Sequence, residues 1–179
     1  MARRGRETSA AKTKKLAICS ALSALGVVTL TLGSLIGVLD ISMAVIASLF
    51  AIIAVIEYGR SAPWLVYATT SVLALIILPQ NSSAWMYVLF FGYYAIIKEK
   101  LERRGKVLSW ILKEVIFNIA LVAILVMGKL LLYKNTSEPI IIYIALAVLC
   151  ELVFPIYDIA LTRLISLYVY RIRTRFKFK

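Results

Sequence analysis

The chain has 179 residues, 62% of them hydrophobic and 17% charged, and a formal net charge of +12. A soluble domain of this length could not bury so much apolar surface, so lipid must act as solvent for much of it. The basic balance could suggest nucleic acid, but the cations sit in tails and short loops between apolar spans. That placement fits the anionic face of a membrane, and no nucleic-acid partner is expected.

Residues 1–15 hold six cations and one acid and are expected to be a disordered basic tail held near a membrane surface. A basic run before an apolar one is reminiscent of a signal peptide. The apolar run is too long for a secretory h-region, however, and no small-residue cleavage site follows, so it reads as a tail plus a retained first span. Leu16 to Leu39 is 24 residues without a charge, enough at about 1.5 Å per residue to cross a bilayer with some tilt. Asp40 marks a tight turn, and the second span follows over 41–56, bounded by Glu57, Gly59 and Arg60. Pro63 stands where proline is tolerated, at the start of a third helix over 63–78. Pro79, Gln80, Asn81, Ser82 and Ser83 form a polar turn. The fourth span covers 85–97, with Trp85 placed as an interface anchor.

A dense charged loop comes next, in which Lys98, Lys100, Arg103, Arg104 and Lys106 stand against Glu99 and Glu102. The fifth span covers 107–133, a second polar turn runs from Lys134 to Pro139, the last span covers 139–170, and 171–179 is a second basic tail. The expected fold class is therefore all-α, an integral membrane bundle of six transmembrane helices over 16–170. Seventeen cations fall on the side of the tails and the charged loop, against Lys134 alone on the other. This asymmetry implies an N-in/C-in protein of the plasma membrane with both termini cytoplasmic.

Within the spans, polar groups are the candidates for function, because charge in lipid is costly and by default faces a bundle interior or marks a pathway. Glu114 and Asn118 share a face of the fifth helix at i, i+4, beside Lys113. Glu151, Pro155, Asp158 and Thr162 form a stripe on the last helix, with Lys113 and Arg163 as expected cationic partners. Either set could be functional or a purely structural polar cluster. Toward the other membrane face, Asn81, Trp85, Tyr87, Lys129, Tyr133 and Tyr143 are candidate ligand groups. The competing expectation is an aromatic belt with a snorkelling Lys129.

Histidine is absent, which removes the commonest general base and metal ligand. Cys19 and Cys150 lie far apart in apolar runs, so neither a disulfide framework nor a metal site is expected. No phosphate loop, zinc spacing or nucleophile elbow occurs. The chain is expected to be no enzyme and to carry no cofactor or metal.

The first span presents two faces of small residues, Ala17, Ala21 and Ala24 on one side and Gly26, Gly33 and Gly37 on the other. Both could pack inside one bundle, or the alanine face could receive a partner protein. Six spans, cytoplasmic termini and an entry reading KKLAICSALSAL resemble the substrate-binding S component of energy-coupling factor transporters. In that family an A-x-x-x-A patch on the first helix docks on a membrane coupling subunit, and Ala17 and Ala21 match it. The resemblance implies uptake of a small micronutrient bound near the outer face, with energy from a pair of partner ATPase subunits. The first outer loop, a substrate lid in that family, is reduced here to the neighbourhood of Asp40. The size and topology also resemble the MreD-like rod-shape-determining proteins, which implies a non-catalytic scaffold of cell-envelope synthesis.

Overall fold

The computed structural model describes residues 9–59, 61–132 and 139–172, and every regular element among them is helical. Helix α1, Ser9–Leu35, starts inside the stretch expected to be a disordered tail. Ala10, Ala11, Lys12 and Lys14 are good helix formers, and the adjoining span supplies the costly nucleus, so the helix propagates backwards into the tail. A single tight turn at Gly37–Leu39 follows. Asp40 does not close this turn but opens α2, Asp40–Tyr58, where a carboxylate favours the positive end of the helix dipole. Helix α2 ends at Gly59, whose φ of 72° suits a residue without Cβ and whose N–H bonds back to Val55. Pro63 lies in the first turn of α3, Ala62–Ile77, as expected.

The fourth span is a continuous helical rod with an irregular middle: α4, Ser82–Met86, then a wide π-helical turn at Tyr87–Phe91, then α5, Gly92–Glu102. It runs past Ile97, so Lys98 to Glu102 are helical rather than loop. Helix α6, Lys106–Met127, is entered through Gly105 at φ 94° and prolonged by a π-helical turn at Gly128–Leu132. Helix α7, Ile140–Leu167, contains Pro155 and is prolonged by another such turn at Tyr168–Ile172.

Four of these helices are long and apolar enough to cross a membrane: Ser9–Leu35, Gly37–Tyr58, Lys106–Leu130 and Ile140–Arg171. The two other expected spans differ for identifiable reasons. Helix α3 has 16 residues, about 24 Å at the helical rise against a hydrocarbon thickness of about 30 Å. The Ser82–Glu102 rod carries Lys98, Glu99, Lys100 and Glu102 in its last turns, which shortens its apolar part.

The described residues fall into two compact units, and the division between Ile96 and Ile97 lies inside the aromatic-to-charged stretch Phe90–Lys106. In the first unit, α1, α2 and α3 pack through small residues. Ala44, Ala47, Ala51 and Ala54 make a buried stripe on α2, and Gly26 and Gly33 of α1 lie against Thr70 and Met43. Close backbone approach of this kind is how helices associate where lipid supplies no hydrophobic drive.

Aromatic side chains join the rod to α3. The Tyr67 hydroxyl donates to the Val88 carbonyl at 2.9 Å, and its ring stands edge-on to Trp64 and Tyr93. Tyr87 is fully buried, in the cluster that holds Leu30, Ala44, Ala74 and Ala84. In the second unit, Phe117 of α6 stacks on Phe154 of α7 at 4.3 Å. Most large apolar residues of α7 are exposed, among them Ile141, Leu152, Ile156 and Leu167. A face so apolar needs lipid or protein against it.

Candidate functional site

The second unit holds the densest polar chemistry among the described residues. Lys98 and Glu102 stand one helical turn apart on α5 and pair at 2.8 Å. Lys113 enters from α6 and reaches Glu102 at 2.9 Å and Asp158 of α7 at 2.7 Å. Lys98 also pairs with the Asp158 carboxylate and donates to its backbone carbonyl at 3.1 Å. Two cations and two carboxylates thus close a quartet in which each carboxylate is bridged by two ammonium groups. Thr162 donates to the same Asp158 carbonyl at 3.0 Å, and the Lys113 ammonium lies 5.5 Å from the Trp110 ring centroid.

The quartet is deeply set on three of its four members. Side-chain exposure is 1% for Lys98 and 4% for both Lys113 and Asp158, against 41% for Glu102. An isolated charge at such depth would be prohibitive, and only mutual pairing with saturated hydrogen bonds makes it tolerable. Burial pushes the Glu102 carboxyl upward, but hydrogen bonds and charge from Lys98 and Lys113 outweigh it and hold the group below the ordinary carboxylate value. A carboxylate held this way suits a charge-neutral tie between helices better than proton abstraction. Beside the quartet, a cavity of about 390 Å³ is walled by the end of α5, the first turns of α6 and the second half of α7.

The intramembrane polar residues meet different fates. Asp158 finds Lys113 as expected, but its second partner is Lys98 and not Arg163. Glu151 lies near the Glu114 carboxyl of α6. Asn118 needs no partner from another helix, since its side-chain amide donates to the Glu114 carbonyl one turn back at 3.1 Å. Lys98, expected in the charged loop, is instead a helical member of the quartet. Its signal was the i, i+4 spacing to Glu102, which presupposes that the fourth helix runs on past Ile97.

Of the candidate ligand groups, Asn81, Trp85 and Tyr87 belong to the first unit and Lys129 and Tyr143 to the second. Asn81 caps α4, accepting from the Ser83 N–H at 2.8 Å. Trp85 donates to the Pro79 carbonyl at 2.9 Å, so both residues serve their own turn. Beside them Ser82 donates to Asp40, tying the start of α4 to the start of α2. Tyr87 is core. Lys129 is exposed, 6.0 Å from the ring centroid of the half-buried Tyr143. Tyr133 lies outside the described residues.

The two faces of α1 separate cleanly. Gly26 and Gly33 are buried, whereas Gly37 is exposed in the turn. Ala17, Ala21 and Ala24 are all exposed, together with Ser20, in an i, i+3, i+4, i+7 stripe. Further along the helix the exposed positions become bulky: Leu25, Val28, Leu32 and Leu35. No protein-family model, curated protein or solved structure matches the chain.

Proposed function

We propose that the chain is a six-span, N-in/C-in subunit of the plasma membrane that works by docking on partner proteins through the alanine face of α1. The observation that carries this reading is the change of character along that helix's exposed side. Bulky side chains suit lipid, whereas a stripe of Ala17, Ser20, Ala21 and Ala24 lets another helix approach closely. The glycines that pack α1 into its own unit lie on other positions, so the alanine stripe remains available. The finer reading is an S-component-like subunit for a small micronutrient, energised by a membrane coupling subunit and an ATPase pair. Lys129 beside Tyr143, at the end of α6 remote from the charged loop, supports it as a cationic group for an anionic ligand. A second reading, an MreD-like envelope scaffold without a small ligand, is favoured by Asn81 and Trp85, which are engaged in their own turn.

Ala21→Leu tests the docking face. Ala21 is exposed, so the variant should keep the wild-type melting temperature while ATPase activity recovered with the tagged chain from native membranes falls at least tenfold. Wild-type recovery would remove the docking face. Absence of ATPase from both preparations would favour the scaffold reading.

Orientation has its own test, in a background with Cys19 and Cys150 replaced by serine. A membrane-impermeant maleimide should label Gln80→Cys in intact cells and Arg104→Cys only after permeabilisation. The opposite pattern would invert the topology.

A further inference from the structure

The cavity beside the quartet is amphipathic in an ordered way. Its polar side comes from Lys106 and Lys113 of α6 and Thr162 and Arg163 of α7, with the quartet carboxylates Glu102 and Asp158 on the same wall, and its apolar side from Trp110 and Ile159. On α6, Lys106, Trp110 and Lys113 fall at i, i+4 and i+7, hence on one face.

The charge count decides what such a space could hold. Lys113 is matched within the quartet, which is neutral as a whole. Lys106 and Arg163 are exposed and have no ionic partner among the described residues, so the wall sets three cations against Glu102 and Asp158, and the excess is two positive charges once the buried Lys98 of the quartet is counted. A third contribution has a different origin. Helix α6 begins at Lys106 after Gly105, without a side-chain cap, so its first N–H groups and the positive end of its dipole lie at the same rim. A guanidinium, an ammonium and uncapped N–H groups together favour a phosphate. The neighbouring exposed residues, Val107, Ile111 and Ile156, are apolar and suited to acyl chains.

We infer that this cavity binds the phosphate of an anionic membrane lipid, with Lys106 and Arg163 on the headgroup and Trp110 and Ile159 against the start of its acyl chains. The buried quartet fixes the spacing of α5, α6 and α7 on which the site depends. The site belongs to the second unit and is independent of the docking face on α1.

The test compares the full chain with Lys106→Gln/Arg163→Gln, and with a control, Arg103→Gln/Arg104→Gln, that removes the same charge from residues that do not line the cavity. Each is purified in a non-ionic detergent and titrated with phosphatidylglycerol, phosphatidylcholine, glycerol 3-phosphate and inorganic phosphate. Bound lipid is counted by native mass spectrometry, and folding is checked by melting temperature. The wild type and the control should retain phosphatidylglycerol at least tenfold more tightly than the Lys106→Gln/Arg163→Gln variant, with phosphatidylcholine weak on all three. Equal loss in both variants would reduce the effect to general surface attraction and overturn the site, as would equal retention of the two lipids. If glycerol 3-phosphate or phosphate binds as tightly as the lipid, the occupant is a soluble phosphate compound and the lipid assignment fails.

Discussion

Asp158→Asn should lower the stability of the chain by about 3–5 kcal/mol, the usual cost of removing one partner from a buried ion pair. The substitution preserves shape, so a cavity is not the cause. It leaves Lys98 and Lys113 with Glu102 as their common carboxylate, and the buried cluster changes from neutral to net positive. Glu102→Gln should cost well under half as much, because Glu102 is the exposed member and water can replace part of what is lost. Adding Lys98→Met to Asp158→Asn should recover part of the loss, since the remaining Lys113–Glu102 pair is again neutral. Unfolding in detergent micelles by heat and by denaturant measures all three. If Asp158→Asn stayed within about 0.5 kcal/mol of the wild type, the quartet would not be what ties these helices together.

The second large effect is expected at Gly92, the first residue of α5. A Cβ built there would stand 2.5 Å and 2.8 Å from two ring carbons of Tyr67 and 3.0 Å from the ring of Tyr87. Neither ring can easily move. Tyr67 is pinned through its hydroxyl to Val88, and Tyr87 is fully enclosed. Replacing a helical glycine by alanine ordinarily gains up to about 1 kcal/mol of helix propensity, but overpacking of this kind costs about 1–3 kcal/mol. Gly92→Ala should therefore be mildly destabilising, and Gly92→Val should sit near the upper end, about 3 kcal/mol below wild type. A Gly92→Val protein that melts at the wild-type temperature would mean that the rod and α3 are not in contact through Tyr67.

Sequence patterns located the helical segments well because their signals are local. Uncharged runs, the Pro63 start and the polar turn at Asn81 each act within a few residues. They erred where one element continues into the next. Residues 9–15 are helical because the span behind them is, and Lys98 to Glu102 are helical because the rod does not stop at its first charge. The candidate site was half legible. Asp158 and Lys113 stood out as costly charges inside apolar helices, whereas Lys98 looked like part of a solvated loop.

Composition and charge order alone establish an all-helical chain that needs lipid around it, with its cations gathered on the tails and the Lys98–Lys106 segment. These properties depend on residue type and spacing, which are visible along one dimension. Which carboxylate meets which ammonium depends on how α5, α6 and α7 come together. Lys98 and Asp158 are 60 positions apart, and Glu151, on the same stripe as Asp158, takes no part in the quartet. The same holds for α1: both small-residue faces are plain in the sequence, but only packing against Thr70 and Met43 decided that Gly26 and Gly33 turn inward and the alanines outward.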